Sequence, residues 1–138
     1  MIKWLVGAFF VIEAHFGASY LVPLDAQAKA TFGGLLGWAW PWAYGDGGLL
    51  GQIQPGSFPI VGFFAAVSAA GLFLLAALSV VGIWVPHSWW RVLAVAGAVL
   101  SLFVMTGFFG PTKLLPIAAD LAVLWAALTN WAPVAVAH

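Results

Sequence analysis

Hydrophobic positions in this chain fall in long unbroken runs, not at the alternating spacing of a half-buried strand. Four runs reach or approach the roughly 20 apolar residues that a helix needs to cross a hydrocarbon core: 2–22, 58–85, 90–109 and 114–131. Prolines mark their ends. Pro23 closes the first run, Pro59 opens the second and Pro86 closes it, Gly110-Pro111 follows the third, and Pro116 and Pro133 frame the fourth. Proline in a first turn removes no donor the helix needs, and proline past the end stops it. The connections at 86–89 and 110–113 are so short that the helices they join must be antiparallel neighbours. The pattern predicts an all-α membrane protein, one domain over 1–138 built as a four-helix transmembrane bundle. A cleaved leader is the competing reading of the first run, since Lys3 precedes it and Ala26-Gln27-Ala28 resembles a cleavage site. Glu13 interrupts the apolar core such a leader needs, and the run is longer than usual, so a retained helix is expected.

The polar interval between the first two runs, 23–57, is the one long connection. It carries Asp25, Lys29 and Asp46 and an aromatic cluster of Trp38, Trp40, Trp42 and Tyr44. Aromatic rings with a polar edge suit the headgroup zone of a bilayer. The expectation is a short surface helix near Leu24–Phe32 followed by an aromatic turn, serving either as an interfacial anchor or as a docking or lid element. Small residues recur every four positions as Gly62/Ala66/Ala70, Ala94/Ala98, Gly97/Ser101 and Ala118/Ala122/Ala126. Such rows let helix backbones approach closely in lipid, so they predict which faces meet.

Composition narrows the function. Hydrophobic residues make up 64% of the chain and charged residues 6%, and the mean hydropathy is +1.09. Four basic and four acidic residues cannot solvate the surface of a water-soluble fold, and the net charge of zero offers nucleic acid no basic stripe. Cysteine is absent, which excludes disulfides, thiolate zinc sites, iron–sulfur clusters and covalently attached haem. The sequence demands no cofactor; a bound lipid is expected, and a quinone or pigment is compatible with so apolar an interior.

Ionisable side chains inside a span are costly unless paired or hydrated, so they are the best pointers to function. Glu13, His15 and Asp120 qualify. At the helical rise, Glu13 and His15 lie about 15 Å and about 18 Å from the end that carries the termini, and Asp120 lies about 21 Å from it. Ser68 and Ser101 fall in the same middle layer, with Thr106 a little beyond. Glu13 and His15, two residues apart, point to nearly opposite sides of their helix. A His15–Asp120 pair is therefore expected if the first and fourth helices touch, with Glu13 bonded elsewhere across the bundle. This layer is either a structural clasp or a proton relay or polar pocket. At the terminal end, His87 and Arg91 bracket Trp89 and Trp90, a set suited to snorkelling, to a lipid phosphate or to a partner's acidic surface.

The fourth run, Pro116-Ile117-Ala118-Ala119-Asp120-Leu121-Ala122-Val123-Leu124-Trp125, together with the four-helix layout, resembles small bacterial membrane proteins of the DoxX-like kind. That resemblance implies the bacterial inner (cytoplasmic) membrane, and some relatives partner quinone-linked oxidoreductases. The first run departs from it in carrying Glu13-Ala14-His15, so no active site is transferred. Lys3 and Arg91 at one end balance Lys29 and Lys113 at the other, and the terminal amine tips both termini toward the cytoplasm. No nucleophile–base pair presents itself, which argues against an enzyme. The leading expectation is an accessory or structural subunit of a larger membrane complex, in respiratory or photosynthetic electron transfer, with the bilayer and other subunits as partners. The alternatives are a small oligomeric proton-coupled carrier and a quinone-linked oxidoreductase membrane partner.

Overall fold

The computed structural model describes residues 1–18, 58–107, 109, 113–129 and 131. Among these residues four α-helices form: α1 (Ile2–Ala18), α2 (Phe58–Val81), α3 (Trp90–Gly107) and α4 (Leu114–Leu128), with a 3-10 turn at His87–Trp89 leading into α3. The segments Val61–Val81 and His87–Gly107 are each 21 residues, long and apolar enough to cross a membrane, whereas Leu114–Leu128 is a shorter apolar helix.

The helices start where the apolar runs start but stop sooner. α2 ends at Val81, before Pro86, because Gly82 adopts a left-handed φ of 84°. The Gly82 amide then donates to Leu78 O (2.9 Å) and Ser79 O (3.2 Å), and the Ile83 amide donates to Leu78 O (2.9 Å). This is the Schellman arrangement, which satisfies the last carbonyls of the helix. Ser79, fully buried, ties the turn down by donating from Oγ to Pro86 O at 2.6 Å, while His87 Nδ1 lies 3.2 Å from Ser79 O. α3 and α4 likewise stop at Gly107 and Leu128, short of 109 and 131. Positions 19–22 of the first run and the whole connection 23–57, including Trp38, Trp40, Trp42 and Tyr44, lie outside the described residues.

Glycine sets the closest approaches. α1 runs antiparallel to α2: a Cβ on Gly7 would meet Val81 at 2.9 Å, and one on Gly17 would meet the backbone of Ala66 and Ala70 at 3.4 Å. Between α2 and α3, the Phe73 ring lies against Gly97, where a Cβ would be 3.2 Å from the ring. Phe73 also stacks on Phe10, with ring centroids 6.1 Å apart and planes at 21°, so one ring joins α1, α2 and α3. α4 packs on α3, with Arg91 Nε donating to Ala127 O at 2.9 Å. Among the described residues α4 returns to α1 at only a few positions, so that seam is looser than the α1–α2, α2–α3 and α3–α4 seams.

Three of the four small-residue rows do line packed faces: Gly62/Ala66/Ala70, Ala94/Ala98 and Gly97/Ser101 are all buried. The fourth does not. Ala118 and Ala122 are exposed and Ala126 is half-buried, while Pro116, Asp120, Val123 and Ala127 form the buried stripe of α4. The physical reason is the carboxylate. Turning Asp120 inward rotates its helix so that the alanine row faces sideways.

The outer surface of the bundle has the polarity opposite to that of a protein in water, and its largely apolar core holds a few polar groups. Phe63, Phe64, Leu74, Val92, Val99, Leu121 and Trp125 point outward, whereas Glu13, Ser79, Ser101, Lys113 and Asp120 are buried. In soluble folds charged side chains are almost never fully buried, and large apolar patches are rarely left exposed.

Candidate functional site

At mid-height the interior is polar at one place. Glu13 comes from α1, Asp120 from α4 and Ser101 from α3, and their exposures are 0%, 0% and 1%. The Asp120 carboxyl faces both the Glu13 carboxyl and the Ser101 hydroxyl. Even so, both oxygens of each carboxyl and the Ser101 Oγ are without a hydrogen-bond partner. The reason is chemical. Two carboxylates are both acceptors, so without a proton between them they can be close but cannot bond.

The geometry follows from helix periodicity. Glu13 lies three residues after Phe10 and four after Phe9, on the face of α1 turned toward α4. Asp120 lies three and seven residues before Val123 and Ala127, on the buried stripe of α4. Ser101 follows Gly97 by four on the buried face of α3, in the same row. Three helices therefore each deliver one oxygen-bearing side chain to one point.

This differs from the expected pairing. His15 does not bond Asp120, whose two carboxylate oxygens are both without partners. It is half-buried on the other side of α1 and has interactions of its own. Glu13 takes its place because it, not His15, shares a face with Phe10. Ser68 points outward. Thr106 is also exposed and donates to its own helix at Leu102 O, 2.6 Å. Only Ser101 of the three hydroxyl candidates joins the site. Lys113 is buried at the start of α4, two turns before Asp120, and is engaged in interactions of its own. Sequence reading passed over its burial, since a lysine at the end of an apolar run looks like an exposed flank. Among the described residues no cluster of three or more His, Cys, Asp or Glu is placed to hold a metal ion.

Above the acid pair, toward the end that carries Met1 and Arg91, the loose α1–α4 seam opens into an apolar cavity of about 420 Å³. Phe9 and Phe10 form one wall, Ala122, Val123 and Ala126 the other, and Trp90 and Trp131 also line it. At the mouth, Trp89 is exposed, Trp90 is buried, and His87 is held in the turn before α3. Comparison with protein families, curated proteins and solved structures finds no match.

Proposed function

We propose that all four helices cross a bilayer and that Glu13, Asp120 and Ser101 form a midplane proton-binding site of a small proton-coupled carrier. The inverted polarity of the outer surface supports the first part: an apolar exterior is stable in lipid, and polar side chains at that depth turn inward to find each other. The observation that carries the second part is the pair of fully buried carboxyls facing each other across the α1–α4 seam, which few other described residues close.

One proton placed between the two carboxyls converts an acceptor–acceptor contact into a charge-assisted O–H···O bond. Ser101 can then donate its hydroxyl to the oxygen of Asp120 that remains. With the proton in place, α1 and α4 are held together. With both groups anionic, they repel across an interface that little else secures. Proton occupancy and helix arrangement are thus one equilibrium, which is the requirement for coupling proton movement to a conformational change. α2 carries no ionisable side chain, and α3 carries only Arg91 at its end, so among the described residues neither supplies a charge at this depth.

The test is reconstitution into sealed vesicles with an interior pH-sensitive dye. The unmodified chain is expected to dissipate an imposed pH gradient. Glu13→Gln and Asp120→Asn are each expected to slow it by about tenfold or more, the equivalent of one lost charge-assisted hydrogen bond. No dissipation by the unmodified chain, or full activity in Glu13→Gln, overturns the reading.

A second reading, an accessory subunit of a membrane electron-transfer assembly, draws support from the same seam, which the described residues of α1 and α4 close at only a few positions. Native mass spectrometry on the chain taken from its own membrane in mild detergent discriminates. Stoichiometric larger subunits favour the accessory role, and a lone chain or homo-oligomer favours the carrier.

A further inference from the structure

The cavity at the α1–α4 seam is not used by the carboxyl pair, and its chemistry identifies an occupant. Resting on the membrane-spanning reading above, we infer that it is a binding site for an anionic phospholipid, seating one acyl chain between α1 and α4 with the phosphate held at Arg91.

Three observations converge. The first is the wall. At about 420 Å³ the cavity falls in the range of ligand sites, about 300–1,000 Å³. The side chains of Val6, Phe9, Phe10, Ala122, Val123 and Ala126 offer it only hydrocarbon and aromatic surface, and the hydrogen-bonding side chains of its lining are the indoles of Trp90, Trp125 and Trp131. The alanine row that fails to pack is what makes the room. Any polar part of an occupant must therefore sit at the mouth.

The second is the mouth. Arg91 follows Trp90, which lines the cavity, and its Nε donates to Ala127 O at 2.9 Å, beside Ala126. That bond fixes the guanidinium at the cavity end of α4, and its exposed Nη groups make no hydrogen bond among the described residues. A fixed guanidinium whose two Nη groups carry four N–H donors not engaged by the described residues suits a phosphate. Lys3 lies one turn before Val6 at the same end, and no acidic residue among the described residues lies near it. A cationic rim with no acid to engage an amine selects an anionic headgroup over a zwitterionic one.

The third is the shape. A helix with its side chains is about 10–12 Å across. One turn of such a helix fills roughly 500 Å³, more than the cavity's about 420 Å³, whereas an acyl chain fits.

The experiment is native mass spectrometry of the full chain in mild detergent, titrated with phosphatidylglycerol or with phosphatidylethanolamine of the same acyl chains. One phosphatidylglycerol is expected to be retained, bound about tenfold more tightly than phosphatidylethanolamine. Arg91→Gln is expected to remove that preference. Ala126→Phe, which fills the slot, is expected to abolish retention of both, while Phe64→Ala on the outward face of α2 changes nothing. Equal retention of the two lipids, an adduct that survives Ala126→Phe, or a dimer or partner-subunit mass without lipid overturns the inference. Release of the protein from membranes by alkaline carbonate would instead end the membrane-spanning reading, so the two failures are distinct.

Discussion

Glu13 and His15 show how much two positions on a helix can matter. Both are ionisable, both fall in the middle of an apolar run, and at the level of residue type the histidine looked the better partner for a buried aspartate. The rotation of α1 decided otherwise. Phe10 is anchored by stacking on Phe73, and Glu13 lies on the same side while His15 lies on the other. The candidate residues were thus legible from chemistry, because a carboxylate in hydrocarbon is conspicuous. Their pairing was not, because residue spacing describes one helix at a time and the partner is set by how two helices are turned. At this scale the acid pair makes a separable prediction. Glu13→Gln places an amide donor opposite Asp120, so its thermal midpoint in detergent is expected to match or exceed that of the unmodified chain even though proton transfer is lost. Glu13→Leu leaves Asp120 buried without a partner and is expected to cost about 3 kcal/mol or more. Equal midpoints for the two variants would show that the carboxyls do not sense each other.

Among the elements, α2 ends four residues before the apolar run does, and proline is not its stop. The stop is Gly82, whose left-handed φ completes a Schellman cap. Nothing lies within 4 Å of a Cβ built there, so Gly82→Ala meets no clash and its cost is the backbone alone, about 1 kcal/mol. Gly71 also has nothing within 4 Å but lies inside α2, where alanine is the better helix former, so Gly71→Ala is expected to raise stability by about 0.5–1 kcal/mol. Opposite signs for two equally unhindered Gly→Ala changes, read by thermal unfolding in detergent, would establish the cap. Matching signs would refute it. The alanine row of α4 belongs to the same scale. Its four-residue spacing was visible in the sequence, but the same spacing serves a packed face and a slot, and only the inward turn of Asp120 chose the slot.

For the whole molecule, large apolar side chains cover the outside as well as the core, and two of the helices are long and apolar enough to cross a membrane. The four-span layout has a direct test, made clean by the absence of cysteine. Single cysteines in place of Ser88 and Thr129, both exposed at the terminal end, should react with an impermeant thiol reagent from the same side of a sealed vesicle. One in place of Phe109, exposed near the other end, should react only from the opposite side. Reaction of all three from one side would rule out the layout. The loose α1–α4 seam is a property of the molecule rather than of any element. It sets the carboxyl pair between two helices that meet at few positions among the described residues, and it opens the cavity beside Arg91.

The amino-acid sequence by itself determined that the chain is helical, where its four helices begin, and that a few polar groups lie deep within them. Hydrophobicity acts residue by residue and length by length, so those properties can be read along a line. Tertiary structure alone decided that Glu13 rather than His15 meets Asp120, that Ser101 joins them, and that the fourth small-residue row borders a slot. Those outcomes depend on rotation about each helix axis. That rotation is set jointly by contacts such as Phe73 on Gly97 and Gly17 on Ala66, between residues far apart in the chain.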